Sequence, residues 1–138
     1  MSRKITERRL VDVLVGHTRH RHLVRREVPH YQTRIDVLLL CSDSEELWAI
    51  EAKTEDWARA LSQAIVNLAA AEKSFIAIYS EYAHRVSLDD LDRHGIGLIS
   101  VGTKWGDVEV LKDAKPSPFM NNIMANRLRS LMHTGAKQ

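Results

Sequence analysis

The chain has 138 residues, is 44% hydrophobic and 28% charged, and carries a formal net charge of +2. That size suits one domain with its own core. No apolar stretch reaches membrane-spanning length, and the basic N-terminus lacks a following apolar segment, so no secretory signal and a cytoplasmic location are expected. Cys41 is the only cysteine, which excludes an intrachain disulfide and a multi-cysteine zinc site.

In chain order, Thr6 caps a predicted helix from about Glu7 to Val15, with Leu10, Val13 and Leu14 as its apolar stripe and Gly16 as its terminator. A basic segment, Thr18 to His22, leads into a first strand over 22–28, which Pro29 is expected to limit. Two short apolar runs, 34–40 and 47–53, flank the polar turn residues Cys41 to Glu46 and read as one β-hairpin. Thr54-Glu55-Asp56 opens a helix running to about Ala71, with Trp57, Ala60, Leu61, Ala64, Ile65 and Leu68 on its apolar face. Residues 74–79 form a strand, and a strand–helix–strand unit of this length implies a parallel crossover. Ser87 with Asp90 caps a short helix ending at His94-Gly95. Strands follow at 96–101 and 108–111. Pro116-Ser117-Pro118 then breaks the chain before a last helix over about 119–133. This order predicts an α/β protein with three layers around a mixed sheet. Residues 1–115 would form the core, and the C-terminal helix in 116–138 would pack on the same domain or dimerise.

The hairpin carries the chemistry. Each of its strands is interrupted by a carboxylate, Asp36 in Arg34–Leu40 and Glu51 in Leu47–Lys53. A hairpin centred between Asp43 and Ser44 sets position 36 opposite position 51. Directly opposed residues lie about 5 Å apart, and like charges there are destabilising. Such a pair calls for a proton, a cation or a cationic side chain. Lys53, two residues from Glu51, shares its strand face. Two acids and a lysine form a patch suited to Mg²⁺ and an activated water; the alternative is a cross-strand ion pair on a solvated face. Charge is also segregated. Residues 1–34 hold nine Lys/Arg against three acids, residues 35–111 six against fourteen, and residues 112–138 five against one. An acidic centre between basic ends suits a polyanion.

Helix, three-strand meander, helix and strand, with Asp36 on the second strand and Glu51-Ala52-Lys53 on the third, resembles the PD-(D/E)xK nuclease superfamily over roughly residues 5–111. Ile35 stands where a proline is common near the first acid. The resemblance implies a restriction-endonuclease-like core and a site in which Asp36, Glu51 and the Ala52 carbonyl bind Mg²⁺, with Mn²⁺ able to substitute, while Lys53 acts on the attacking water. It further implies an acid from the first helix in the metal shell, for which Glu7 is the candidate. On the helix after the motif it implies a glutamine facing the site, for which Gln63 is the candidate. Arg19, His20, Arg21, His22, Arg25 and Arg26 are candidates for contacts to DNA phosphates, which position a protein without reading sequence. A zinc site from His17, His20 and His22 is not expected.

The expected function is metal-dependent endonucleolytic cleavage of DNA, duplex or branched. A structure-selective enzyme acting on Holliday junctions is favoured, because a chain this short leaves little room for a base-reading domain. Such an enzyme cuts two strands, so a homodimer is expected, with the apolar face of the last helix (Met120, Met124, Met132) as a candidate interface. A restriction-type enzyme, an RNA nuclease and a non-catalytic nucleic-acid-binding module of the same fold are the alternatives.

Overall fold

The computed structural model describes residues 5–134. Helix α1 (Glu7–Thr18) is followed by strands β1 (His22–His30), β2 (Thr33–Cys41) and β3 (Leu47–Lys53). Helix α2 (Trp57–Val66), strand β4 (Lys73–Tyr79), helix α3 (Leu88–His94), strands β5 (Gly97–Val101) and β6 (Val108–Lys112), and helix α4 (Asn122–Thr134) complete it. Short 3₁₀ turns at Asn67–Ala69 and Ser80–Arg85 follow α2 and β4.

The six strands form one sheet in sequence order. β1, β2 and β3 are an antiparallel meander, β3, β4 and β5 are parallel, and β6 returns antiparallel. The hairpin register pairs Val37 with Ile50 and Leu40 with Leu47, which sets Asp36 across from Glu51 as the sequence predicts. Helix α1 covers one face, with Leu10, Val13 and Leu14 against Val37, Leu39, Ile50 and Phe75. On the other face, α2 and α3 pack over β4 and β5. Beside them α4 packs over β1 to β3 through Ala125, Leu128 and Met132. The protein is therefore a mixed α/β fold with helices on both faces of a mixed sheet. Among the described residues no helix is long and apolar enough to cross a membrane.

Several element ends differ from expectation. Helix α1 runs through Gly16 to Thr18, and Gly16 is there for contact rather than termination: a Cβ on it would lie 1.9 Å from the Trp105 ring. Strand β1 continues through Pro29, which pairs with Arg34. β1 is an edge strand, where a missing N–H is tolerated. Helix α2 starts later, capped by the Asp56 side chain on the Arg59 N–H, and ends at Val66 rather than Ala71. Helix α4 starts at Asn122 rather than 119, and the methionines pack on its own sheet: Met132 is buried, and Met124 and, just before the helix, Met120 pack on the same cluster. Ile123, 84% exposed, points outward.

Gly97 at the start of β5 admits two close neighbours. A Cβ there would meet Phe75 Cδ2 at 2.4 Å and the Lys112 carbonyl oxygen at 2.8 Å. Backbone cannot yield as a side-chain tip can, so Gly97→Ala should destabilise by about 1–3 kcal/mol. Urea denaturation checks this, and an unchanged midpoint would show that the β5–β6 pairing is looser than it stands here.

Candidate functional site

Strand alternation breaks around Asp36. Ile35 and Leu38 face α4, whereas Val37 between them faces α1, so side-chain phase slips around Asp36. The neighbouring strand slips with it: Val24 packs on the α1 side and Val28 on the α4 side. Glu27, level with Asp36 in the register, has φ 54°, an uncommon left-handed conformation for a non-glycine residue. The β2–β3 ladder pairing begins at Val37–Ile50, one step inside the acids.

Where the ladder opens, side chains replace it. The Ala52 N–H donates to Asp36 Oδ2 at 2.9 Å, and the Asp36 N–H donates to Glu51 Oε2 at 3.4 Å. Each carboxylate thus braces the opposite strand. The Ala52 carbonyl lies on the same strand edge as its N–H, because both groups of one strand residue address the same neighbour. Glu51 is only 4% exposed. Burial, and then the Asp36 charge, push its carboxyl up to about 7, against the opposing pull of donors from Asn67 and the Asp36 N–H. Asp36 is also raised, chiefly by burial and further by Glu27 and Glu7, with the Ala52 N–H and Lys53 acting the other way. Raised proton affinity at two adjacent carboxylates marks a site that favours an added positive charge.

The other expected residues divide. Lys53 Nζ lies 3.6 Å from Glu7 Oε1, so the first-helix acid meets the motif lysine. Glu7 and Asp36 line one cleft together with Arg8, Val11, Arg26 and Glu27. Gln63 does not reach either carboxylate; its Nε2 donates to Thr33 Oγ1 at 2.6 Å, at the start of β2. One turn further on, Asn67 does what was expected of Gln63. It is fully buried and donates from Nδ2 to Glu51 Oε2 at 2.9 Å. Its Oδ1 has no partner among the described residues. Sequence reading missed Asn67 because it sits in what reads as the interior of α2. The signal was a lone amide among Ile65, Val66 and Leu68 on an otherwise apolar helix end.

Among the described residues no three His, Cys, Asp or Glu side chains converge as a metal-ligating group. The donors at hand are two carboxylates and a backbone carbonyl, all hard oxygens.

The fold has a solved counterpart. A protein of unknown function from Silicibacter pomeroyi superimposes with a TM-score of 0.73 at 22% identity, over 96% of this chain and 86% of that one. At that identity the likeness is one of fold. No family model matches the chain, and no curated protein is similar to it.

The basic segment falls in two places. Arg26 lines the Asp36 cleft and pairs with Asp12 at 2.7 Å. Arg25, its neighbour in β1, addresses the other strand face and does not line that cleft; its buried Nη2 has no partner among the described residues. His22 pairs with Cys41 at the opposite end of the strand, five residues from Glu27. At about 3.3 Å per residue it is some 16 Å from the acids. His20 and Arg21 are exposed at that far end and line a different cavity with His22; Arg19, also exposed, precedes them at the end of α1.

Proposed function

We propose that the protein is a metal-dependent DNA endonuclease of the PD-(D/E)xK type, with a restriction-endonuclease-like core. The observation that carries this reading is the mutual bracing of Asp36 and Glu51 where the β2–β3 ladder opens, with Lys53 on the same strand. A structural ion pair would put the lysine between the acids. Here the lysine pairs with Glu7, and the two acids bear raised proton affinity. Asp36, Glu51 and the Ala52 carbonyl would hold Mg²⁺ or Mn²⁺, as hard oxygen donors suit. When bound, the cation would supply Lewis-acid activation of a phosphate oxygen and of a water. Lys53 orients the attacking water and offers positive charge to the phosphate as negative charge builds there. Glu7 holds Lys53 in position, and Asn67 holds Glu51. Arg26, which lines the cleft, would take substrate phosphates.

The preferred substrate in this reading is branched DNA, a four-way junction above all. Two symmetric cuts require a two-fold dimer. The outward Ile123 and Phe119 next to α4, 84% and 70% exposed, offer apolar surface for it. A cytoplasmic location belongs to the same reading.

The test is cleavage of supercoiled plasmid, linear duplex, four-way junction and single strand in Mg²⁺ or Mn²⁺, with Lys53→Ala alongside. Metal-dependent cutting is expected, and it should fall by about 10²–10³-fold in the variant. Failure to cut any substrate, with DNA binding retained in EDTA, would instead identify a non-catalytic nucleic-acid-binding module.

A further inference from the structure

At the far end of the sheet from the acids, a cavity of about 480 Å³ opens between the last turn of α1, the start of β1 and strand β6. Its floor is core: Leu14, Leu39, Ile50 and Ile99, each no more than 4% exposed. Trp48 supplies an aromatic wall, and the His22 ring stands 6.4 Å from it. The rim carries Arg21 and three histidines, His17, His20 and His22, beside Thr18, Val108 and Val110, with no acid among the lining residues. The Arg21 side chain has no hydrogen-bond or ion-pair partner among the described residues. The Nδ1 of His22 is enclosed and likewise has none. Turning that ring toward a ligand would break no existing hydrogen bond.

A cleft of a few hundred Å³ with an apolar floor and a few convergent polar groups is the usual form of a small-molecule site, and this one is open on its rim side. The floor and the Trp48 wall ask for a flat or short apolar body. The rim asks for negative charge, and a guanidinium without a partner takes a carboxylate through two parallel hydrogen bonds. A bare nucleic-acid backbone has the charge but no apolar body for this floor. A purely apolar ligand would leave the rim unused.

We propose that this cavity binds a small organic anion, an aromatic or short acyl carboxylate or its sulfonate analogue. The apolar body would lie on Leu39 and Ile50 against Trp48, with the anionic group at Arg21 and His22. The inference is independent of the nuclease reading, since the cavity shares no residue with the Asp36 cleft and its rim at His22 lies about 16 Å along the strands from the level of Asp36, although its floor reaches Ile50, next to Glu51.

The full chain would be titrated with anilinonaphthalene sulfonate and with its uncharged counterpart N-phenylnaphthylamine, then with phenylacetate as competitor. Saturable one-to-one binding displaced by phenylacetate is expected. Arg21→Ala should weaken the anionic probe by about two- to fivefold, as an exposed charge contact is worth, and leave the neutral probe unchanged. Val110→Trp, at a lining position 52% exposed, should fill the mouth and remove binding of both probes without loss of fold by circular dichroism. Binding untouched by Val110→Trp places the probe elsewhere, on Ile123 for example, and overturns the proposal. An equal loss of both probes in Arg21→Ala overturns the anion specificity. None of these outcomes bears on DNA cleavage, which is read separately.

Discussion

Glu51→Gln should abolish cleavage, by about 10²–10³-fold or more, and at the same time stabilise the metal-free protein above neutral pH. Removing the charge removes the principal oxygen anion of the site while keeping the side chain's shape. The stability effect follows from proton linkage. The Glu51 carboxyl is raised from 4.5 to about 7 on folding, so the folded chain holds this proton more tightly than the unfolded chain does. Its contribution is most favourable below 4.5. It is lost as pH rises through 7, by on the order of 3 kcal/mol for this buried group. Glutamine carries no such penalty, and Asn67 can turn its unpartnered Oδ1 to the new amide. Urea unfolding in EDTA at pH 5 and pH 8 tests both halves. The wild type should lose stability between them and the variant should lose less. A variant that still cuts removes the proposed site, and a wild type equally stable at both values removes the electrostatic account of it.

Phe75→Ala should be the most damaging single change to the fold, at about 3–5 kcal/mol. The ring is fully buried and lies 5.2 Å from Trp48. It fills the space that Gly97 leaves. Phe75 also pairs in register with Ile50, next to Glu51, so its loss loosens the strand that presents the acid. Total stability of a domain this size is about 5–15 kcal/mol, so roughly a fifth or more of it rests on this position. Phe75→Leu keeps most of the volume and should cost much less. Denaturation midpoints for the pair decide the matter: equal, small losses would mean that the core collapses around the gap.

How legible the molecule was depended on which forces act locally. The pairing of position 36 with 51 was readable because a short polar loop and two apolar runs leave one register that buries the right faces. The capping of α3 by Ser87 and its left-handed end at Gly95 were equally local. Gly16 and Pro29 misled because each was read by its backbone habit. One serves a tertiary contact with Trp105, and the other sits on a sheet edge where its missing N–H does no harm. No proline or glycine marks the end of α2 at Val66, so the switch into a 3₁₀ turn at Asn67 could not be seen. That switch is what makes Asn67, rather than Gln63, the partner of Glu51. The phase slip at Glu27 and Asp36 leaves no trace in an alternation pattern. Residues 19–26 read as one basic patch, yet they straddle α1's end and a nine-residue strand whose two ends serve different places.

The hairpin holding the two acids closes over a loop of a few residues, whereas the β3–β4 pairing must wait for the whole of α2 to be spanned. Short closures lose less entropy and form earlier. Asp36 and Glu51 would therefore meet first in a ribbon still open to water, where both stay ionised at little cost. Their repulsion becomes expensive only when Asn67 arrives and seals Glu51 from solvent. If that sealing follows the rate-limiting barrier, the penalty leaves the folding rate nearly untouched and shows up as faster unfolding. The acids would thus set how long the native state lasts, not how quickly it is reached.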